Sequence, residues 1–215
     1  MARYFFFGLL RDRDLMELVL GRRLSERPSV RAWLADARLV RLRGETCPLL
    51  IPAPGARVEG VLVEDLGTAD LDRIRFFESV EYEPRIYRVE LLDGGYAEAQ
   101  AFTPSARAEH DGAPWRFEDW LARDKAKDLG ETRLWMALHG YLDPAEADRR
   151  WDRARAEGRA LEDLVAEIRG PAAADGDLRR AAGNPVPRGG DDVEYRNDTG
   201  APQGATGERR GKDQG

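Results

Sequence analysis

Two stretches of the chain combine residue types that could do chemistry. The first is Arg73-Ile74-Arg75-Phe76-Phe77-Glu78-Ser79-Val80-Glu81-Tyr82. It sets two carboxylates three positions apart among aromatic and apolar neighbours, just after a helix-like segment. A carboxyl beside Phe77 and Val80 is desolvated. Desolvation disfavours the charged form and moves the pKa toward the range useful for proton transfer. Arg75 and Arg85 lie close in sequence, and an ion pair from either to Glu78 would give these residues a purely structural use. The second stretch is Phe6-Phe7-Gly8-Leu9-Leu10, a strand running into a glycine turn. A glycine there lets backbone approach a ligand closely, and the N–H groups of the following helix start can meet an anion. On spacing alone, a glycine that only makes the turn explains it as well.

Other candidates are thinner. Residues 115–169 interleave Trp with Arg, which can stack on bases, but Asp and Glu are equally interleaved. A solvated helix surface over a Trp-lined core accounts for that pattern. Cys47 precedes Pro48 with no histidine near it in sequence, as a buried structural thiol would. Glu109-His110-Asp111 reads as an exposed loop cluster. One cysteine and two distant histidines, His110 and His139, supply neither a disulfide nor a Cys/His metal site. Walker, Rossmann, GxSxG and HExxH patterns are absent.

These residues need a scaffold, and 215 residues allow one domain with additions. Apolar residues are 42% and charged residues 34%, which suits a lean globular core. The formal charge of −6 argues against a nucleic-acid binder. The longest early apolar run, residues 4–10, is too short for a membrane span and lacks the cleavage site of a secretion signal. A reducing cytoplasm is the expected setting. From residue 170 onward the chain holds ten of its 22 glycines and four of its 12 prolines, with almost no large apolar residues. Such a segment cannot bury enough surface to offset ordering entropy, and a disordered tail is expected over 170–215.

The elements expected between are short strands with one or two helices. Residues 3–7 read as a strand, then a helix capped by Asp12 or Asp14 and stopped at Gly21. Residues 29–42 read as a long bent strand and 48–55 as a proline-punctuated loop. Residues 58–63 read as a strand, followed by a helix capped at Thr68 or Asp70. Asp93-Gly94-Gly95 joins strands 86–92 and 96–102 as a hairpin. These strands suggest a small, mostly antiparallel β-barrel with flanking helices, an α+β fold. Residues 115–169 read as three or four helices broken near Gly130, Gly140 with Pro144, and Gly158. They pack on the barrel or offer a face for a protein partner or self-association.

Three motifs in this order resemble the gamma-glutamylcyclotransferase-like (AIG2-like) family. Phe7-Gly8-Leu9-Leu10 is similar to its Tyr-Gly-Thr/Ser-Leu loop. Pro48-Leu49-Leu50-Ile51-Pro52, followed by Val58-Glu59-Gly60-Val61-Leu62, is similar to its P-x-L-x-P loop and the strand after it. The run from Leu71 to Tyr82 is similar to its L-D-x-x-E-G-x-x-Y signature. The resemblance covers roughly residues 2–104. It implies a family domain over 1–110, and the helical pattern and composition beyond it divide the rest into a helical extension over 111–169 and the tail over 170–215. It also implies a pocket between the Gly8 loop and Glu78. In that pocket Phe7, Gly8, Leu9 and Leu10 would bind the glutamyl part of a small γ-glutamyl amine or peptide. Tyr82 would line it, and Glu78 would be the general acid/base that releases 5-oxoproline. No metal and no organic cofactor is implied. Four positions depart from the pattern. Phe7 stands for Tyr, Leu9 for Thr or Ser, Ser79 for Gly, and Phe102 for a frequent Tyr. A pocket short of hydroxyls fits a second expectation, a binding module with little or no catalysis that uses its helices for a partner.

Overall fold

The structure is a computed structural model that describes residues 3–24, 30–64 and 66–170. The expectation of a disordered tail therefore falls, from Pro171 on, outside the described residues. Strand β1 (Tyr4–Phe6) leads through a short 3-10 turn (Leu9–Arg11) into helix α1 (Arg13–Leu20). Asp12 caps α1 by accepting the Leu15 N–H at 3.1 Å, and Gly21 ends it at φ 66°.

Strands β2 (Val30–Leu42) and β3 (Pro48–Val63) form a long antiparallel pair running from Val30↔Leu62 to Arg41↔Pro48, with a register shift between Ala35 and Ala37. Residues 48–55, expected to be a loop, belong to β3. Pro48 and Pro52 are tolerated because they pair with only one neighbour, the far half of β2, and Pro54 falls in the stretch that the register shift leaves without a β2 partner. The bend expected in residues 29–42 is a bulge at Asp36, which has φ 55° and accepts the Gly55 N–H at 2.8 Å.

Helix α2 (Thr68–Glu78) follows, then the hairpin β4 (Tyr82–Leu91) and β5 (Tyr96–Pro104). A short strand β6 (His110–Pro114) pairs with the end of β2. It takes in the last two residues of the Glu109-His110-Asp111 cluster, expected in a loop; all three residues are exposed as expected. The sheet order β3-β1-β5-β4-β2 closes through the β2–β3 pairing, so five strands make a barrel, with only the β1–β5 contact parallel.

Strand β1 is buried on both sides, which explains its unbroken aromatic run. Phe5 and Phe7 point into the barrel with Ala97, Ala99 and Ala101, whose small side chains leave room for the rings. Tyr4 and Phe6 face outward into a second core shared with the helices. Gly60 is needed at the barrel wall, because a Cβ there would lie 2.5 Å from the Phe5 ring.

Four helices close that second core: α3 (Phe117–Arg123), α4 (Lys125–Met136), α5 (Pro144–Ala156) and α6 (Leu161–Arg169). The break near Gly130 does not occur. Gly130 sits inside α4 with open space around it, and the break comes at Asp124 instead. Leu138, Trp120, Leu164 and Val165 are fully or nearly fully buried against Phe6, Leu10, Leu15 and Ile74. Lys125 ties α4 to α1 through Asp12 and Asp14, each at 2.7 Å.

Candidate active site

The three sequence motifs meet at Pro48. A Cβ on Gly8 would stand 2.9 Å from the Pro48 ring, so only glycine lets the turn lie against it. The Pro48 carbonyl accepts the Tyr82 hydroxyl at 3.0 Å. The turn itself closes by bonds from the Arg11 N–H to the Gly8 carbonyl and from the Asp12 N–H to the Leu9 carbonyl. Residues 7–10, Pro48, Tyr82 and Glu78 line one cavity of about 230 Å³.

Glu78 is the last residue of α2. Burial pushes its carboxyl up to about 8. Its position at the carbonyl end of a helix disfavours negative charge in the same direction. Among the described residues it has neither hydrogen-bond nor ion-pair partner. The ion pair that Arg75 or Arg85 could have made is not formed: Arg75 is exposed, and Arg85 binds Glu83, with Nε at 3.0 Å.

The chain leaves Glu78 through a strained residue. Ser79 has φ 54° and ψ −147°, a conformation glycine adopts readily and serine does not. Its hydroxyl is buried without a partner. Two other groups in the cavity, Cys47 and Tyr82, stay neutral near pH 7. Burial pushes the Cys47 thiol up to about 12 and the Tyr82 phenol well above its usual value. Cys47 is therefore no nucleophile, and Tyr82 can only donate or accept a hydrogen bond.

Phe7, Leu9 and Phe102, expected at the pocket from the motifs, all line it. Their buried side chains make the barrel side of the cavity apolar. The opposite wall comes from helices that carried no motif. Trp135 of α4 and Trp151, Asp148, Asp152 and Arg155 of α5 line the same cavity. Arg155 is held by Glu45 at 2.5 Å and Glu131 at 3.0 Å. Asp128 joins this wall to the barrel. Its Oδ2 accepts from Thr46 Oγ1 at 2.6 Å and from Trp120 Nε1 at 2.7 Å, while Trp115 Nε1 donates to the Thr46 carbonyl. Nothing local in the sequence marks these residues, because the barrel loop at residues 45–47 and α5 are a hundred positions apart.

The closed five-stranded barrel with its flanking helices is an α+β fold, and one cavity in it is lined by both the Gly8 turn and the desolvated Glu78 carboxyl. The chain belongs to the family described as "Gamma-glutamyl cyclotransferase, AIG2-like", whose model matches residues 4–122. Two curated relatives come from Arabidopsis thaliana. AIG2-like protein D is 29% identical over 123 residues, which is 56% of this chain and 79% of the relative. AIG2-like protein C is 24% identical over 134 residues, which is 61% of this chain and 76% of the relative. A solution structure from Arabidopsis thaliana is similar at 23% identity and a TM-score of 0.46, over 60% of this chain and 87% of that one. Among the described residues, no helix is long and apolar enough to cross a membrane.

Proposed function

We propose that this protein is a cyclotransferase-type enzyme that releases 5-oxoproline from a γ-glutamyl amine or peptide, with Glu78 as its acid/base. The observation that carries the reading is the unpaired, desolvated Glu78 carboxyl lining one cavity with the Gly8 turn. Family membership supports it. The Glu78 carboxylate takes a proton from the substrate's α-ammonium. The free amine then attacks the γ-carbonyl carbon and closes a five-membered ring. The bond to the leaving nitrogen breaks, and the Glu78 carboxyl gives that nitrogen its proton. Atoms balance without water: the products are 5-oxoproline and a free amine.

A single carboxyl must accept and then donate one proton, which is most effective when its pKa lies near the working pH. A value near 8 meets that condition. Because nucleophile and electrophile are in one molecule, the protein's remaining work is to fold the glutamyl chain and exclude water. Backbone groups of residues 7–10 hold the glutamyl part, and the neutral Tyr82 fixes the Pro48 wall beside it.

A second reading has a specific observation behind it: Phe7, Leu9 and Phe102 give the pocket no hydroxyl where relatives' motifs carry one. In that reading the cavity binds a ligand or partner without turnover. The assay that separates the two is 5-oxoproline release from γ-glutamyl amines, γ-glutamyl dipeptides and glutathione. Release from a member of the panel is the expected result. Release from none would favour the binding module.

A further inference from the structure

The helical wall of the cavity suggests which leaving amine the site takes. It presents two aromatic rings, Trp135 and Trp151, packed edge to face with centroids 5.3 Å apart. Beside them stand Glu81 on the barrel side and Asp148 and Asp152 of α5. Among the described residues none of these three carboxylates has a salt-bridge partner. Arg155, the cation on the same wall, is already held by Glu45 and Glu131. Burial and mutual repulsion push the carboxyls of Glu81 and Asp148 up, Arg107 and Arg149 offsetting only part of the effect at Asp148. Unpaired like charges gathered in a cleft raise the local concentration of cations.

The character of that cation follows from the geometry. No three of these carboxylates are grouped so as to hold a metal ion. A cavity lined by both these rings and these carboxylates fits a methylene chain bearing an ammonium group, which the rings and the charges can both attract. A substrate carboxylate in the same place would be repelled.

We propose that Glu81, Asp148 and Asp152 select γ-glutamyl amines whose leaving amine bears a second, distal positive charge, an α,ω-diamine, over neutral amines and over peptides that end in a carboxylate. The proposal rests on the cyclotransferase reading of the same cavity. It gives residues of α5, outside the region that matches the family, the role of setting specificity.

The test compares three substrates: the mono-γ-glutamyl amide of 1,4-diaminobutane, that of n-pentylamine as its uncharged counterpart of equal length, and a γ-glutamyl dipeptide. Each is assayed for 5-oxoproline release with the wild type and with an Asp148→Asn, Asp152→Asn double variant. The diamine derivative should exceed the neutral one in kcat/KM by about tenfold or more, the size of one charge-assisted hydrogen bond. The dipeptide should rank last. The double variant should lose most of the diamine preference, chiefly through a rise in KM for the diamine derivative. Equal use of diamine and pentylamide, or a preference for the dipeptide, would overturn the inference while leaving the cyclotransferase reading intact. Release from none of the three would overturn that reading, and the inference with it.

Discussion

The hydroxyl of Tyr82 donates to the carbonyl of Pro48 across 3.0 Å, and the ring of the same proline fills the space that a side chain on Gly8 would need. One residue of β3 thus holds the glycine turn on one side and the start of β4 on the other. Glu78 is placed by that arrangement, since α2 ends only four residues before Tyr82.

Removing the Tyr82 hydroxyl should loosen this joint. Tyr82→Phe leaves the Pro48 carbonyl without its partner, at a cost of about 1–2 kcal/mol. In a chain of this size that corresponds to a fall in Tm of roughly 2–8 °C. Gly8→Ala should reduce activity more than stability, because the turn must shift away from Pro48. Thermal unfolding and 5-oxoproline release, measured on both variants, check the two effects.

Ser79 holds a conformation suited to glycine, and its buried hydroxyl is unsatisfied. Ser79→Gly should therefore stabilise the protein by about 1 kcal/mol, the relief of strain exceeding the extra freedom given to the unfolded chain. The midpoint of urea unfolding should rise. A lower midpoint would show that the serine is not strained.

The raised pKa of Glu78 has a consequence for stability that does not depend on catalysis. The folded state keeps the proton up to about pH 8, whereas the unfolded chain releases it near 4.5. Between those values the folded state binds more protons, so stability falls as pH rises. Glu78→Gln removes this dependence. The Tm of the variant minus that of the wild type should grow from pH 4.5 to pH 8 and then level off, reaching on the order of a few kcal/mol in stability. Glu81 and Asp148 shift in the same direction in both proteins and cancel in the difference. A gap that does not change with pH would mean that Glu78 is solvated.

Asp128 links the helical wall to the barrel loop through Thr46 and Trp120. Asp128→Ala should cost about 2–3 kcal/mol, because it strands the buried indole N–H of Trp120. Asp128→Asn keeps an acceptor and should cost less. Denaturant unfolding of both variants tests this ranking.

The barrel was legible in the sequence because its strands carry local marks. The hairpin turn, the aromatic run of β1 and the Asp12 and Gly21 stops of α1 are each set by neighbours in the chain. The segment at residues 48–55 was not, since its prolines signal a loop and only pairing with the far half of β2 makes it a strand. Gly130 misled for a similar reason: packing of Leu134 and Met136 holds α4 together across a weak helix former. At the site, residues 7–10, Glu78 and Tyr82 could be named from their motifs, and the cavity does bring them together. The acidic and aromatic wall could not be named. It is made only when α4 and α5 fold back over the barrel, and Asp148, Asp152 and Arg155 look like any solvated helix face in the linear chain.

Whether Glu78 moves the proton is read out by 5-oxoproline release from wild type and Glu78→Gln side by side, on one γ-glutamyl amine at pH 8. The wild type should turn over. The variant should remain folded by circular dichroism yet lose activity by at least about 10²–10⁴-fold, the contribution of a positioned acid/base. A folded Glu78→Gln protein that releases 5-oxoproline at the wild-type rate would contradict the account.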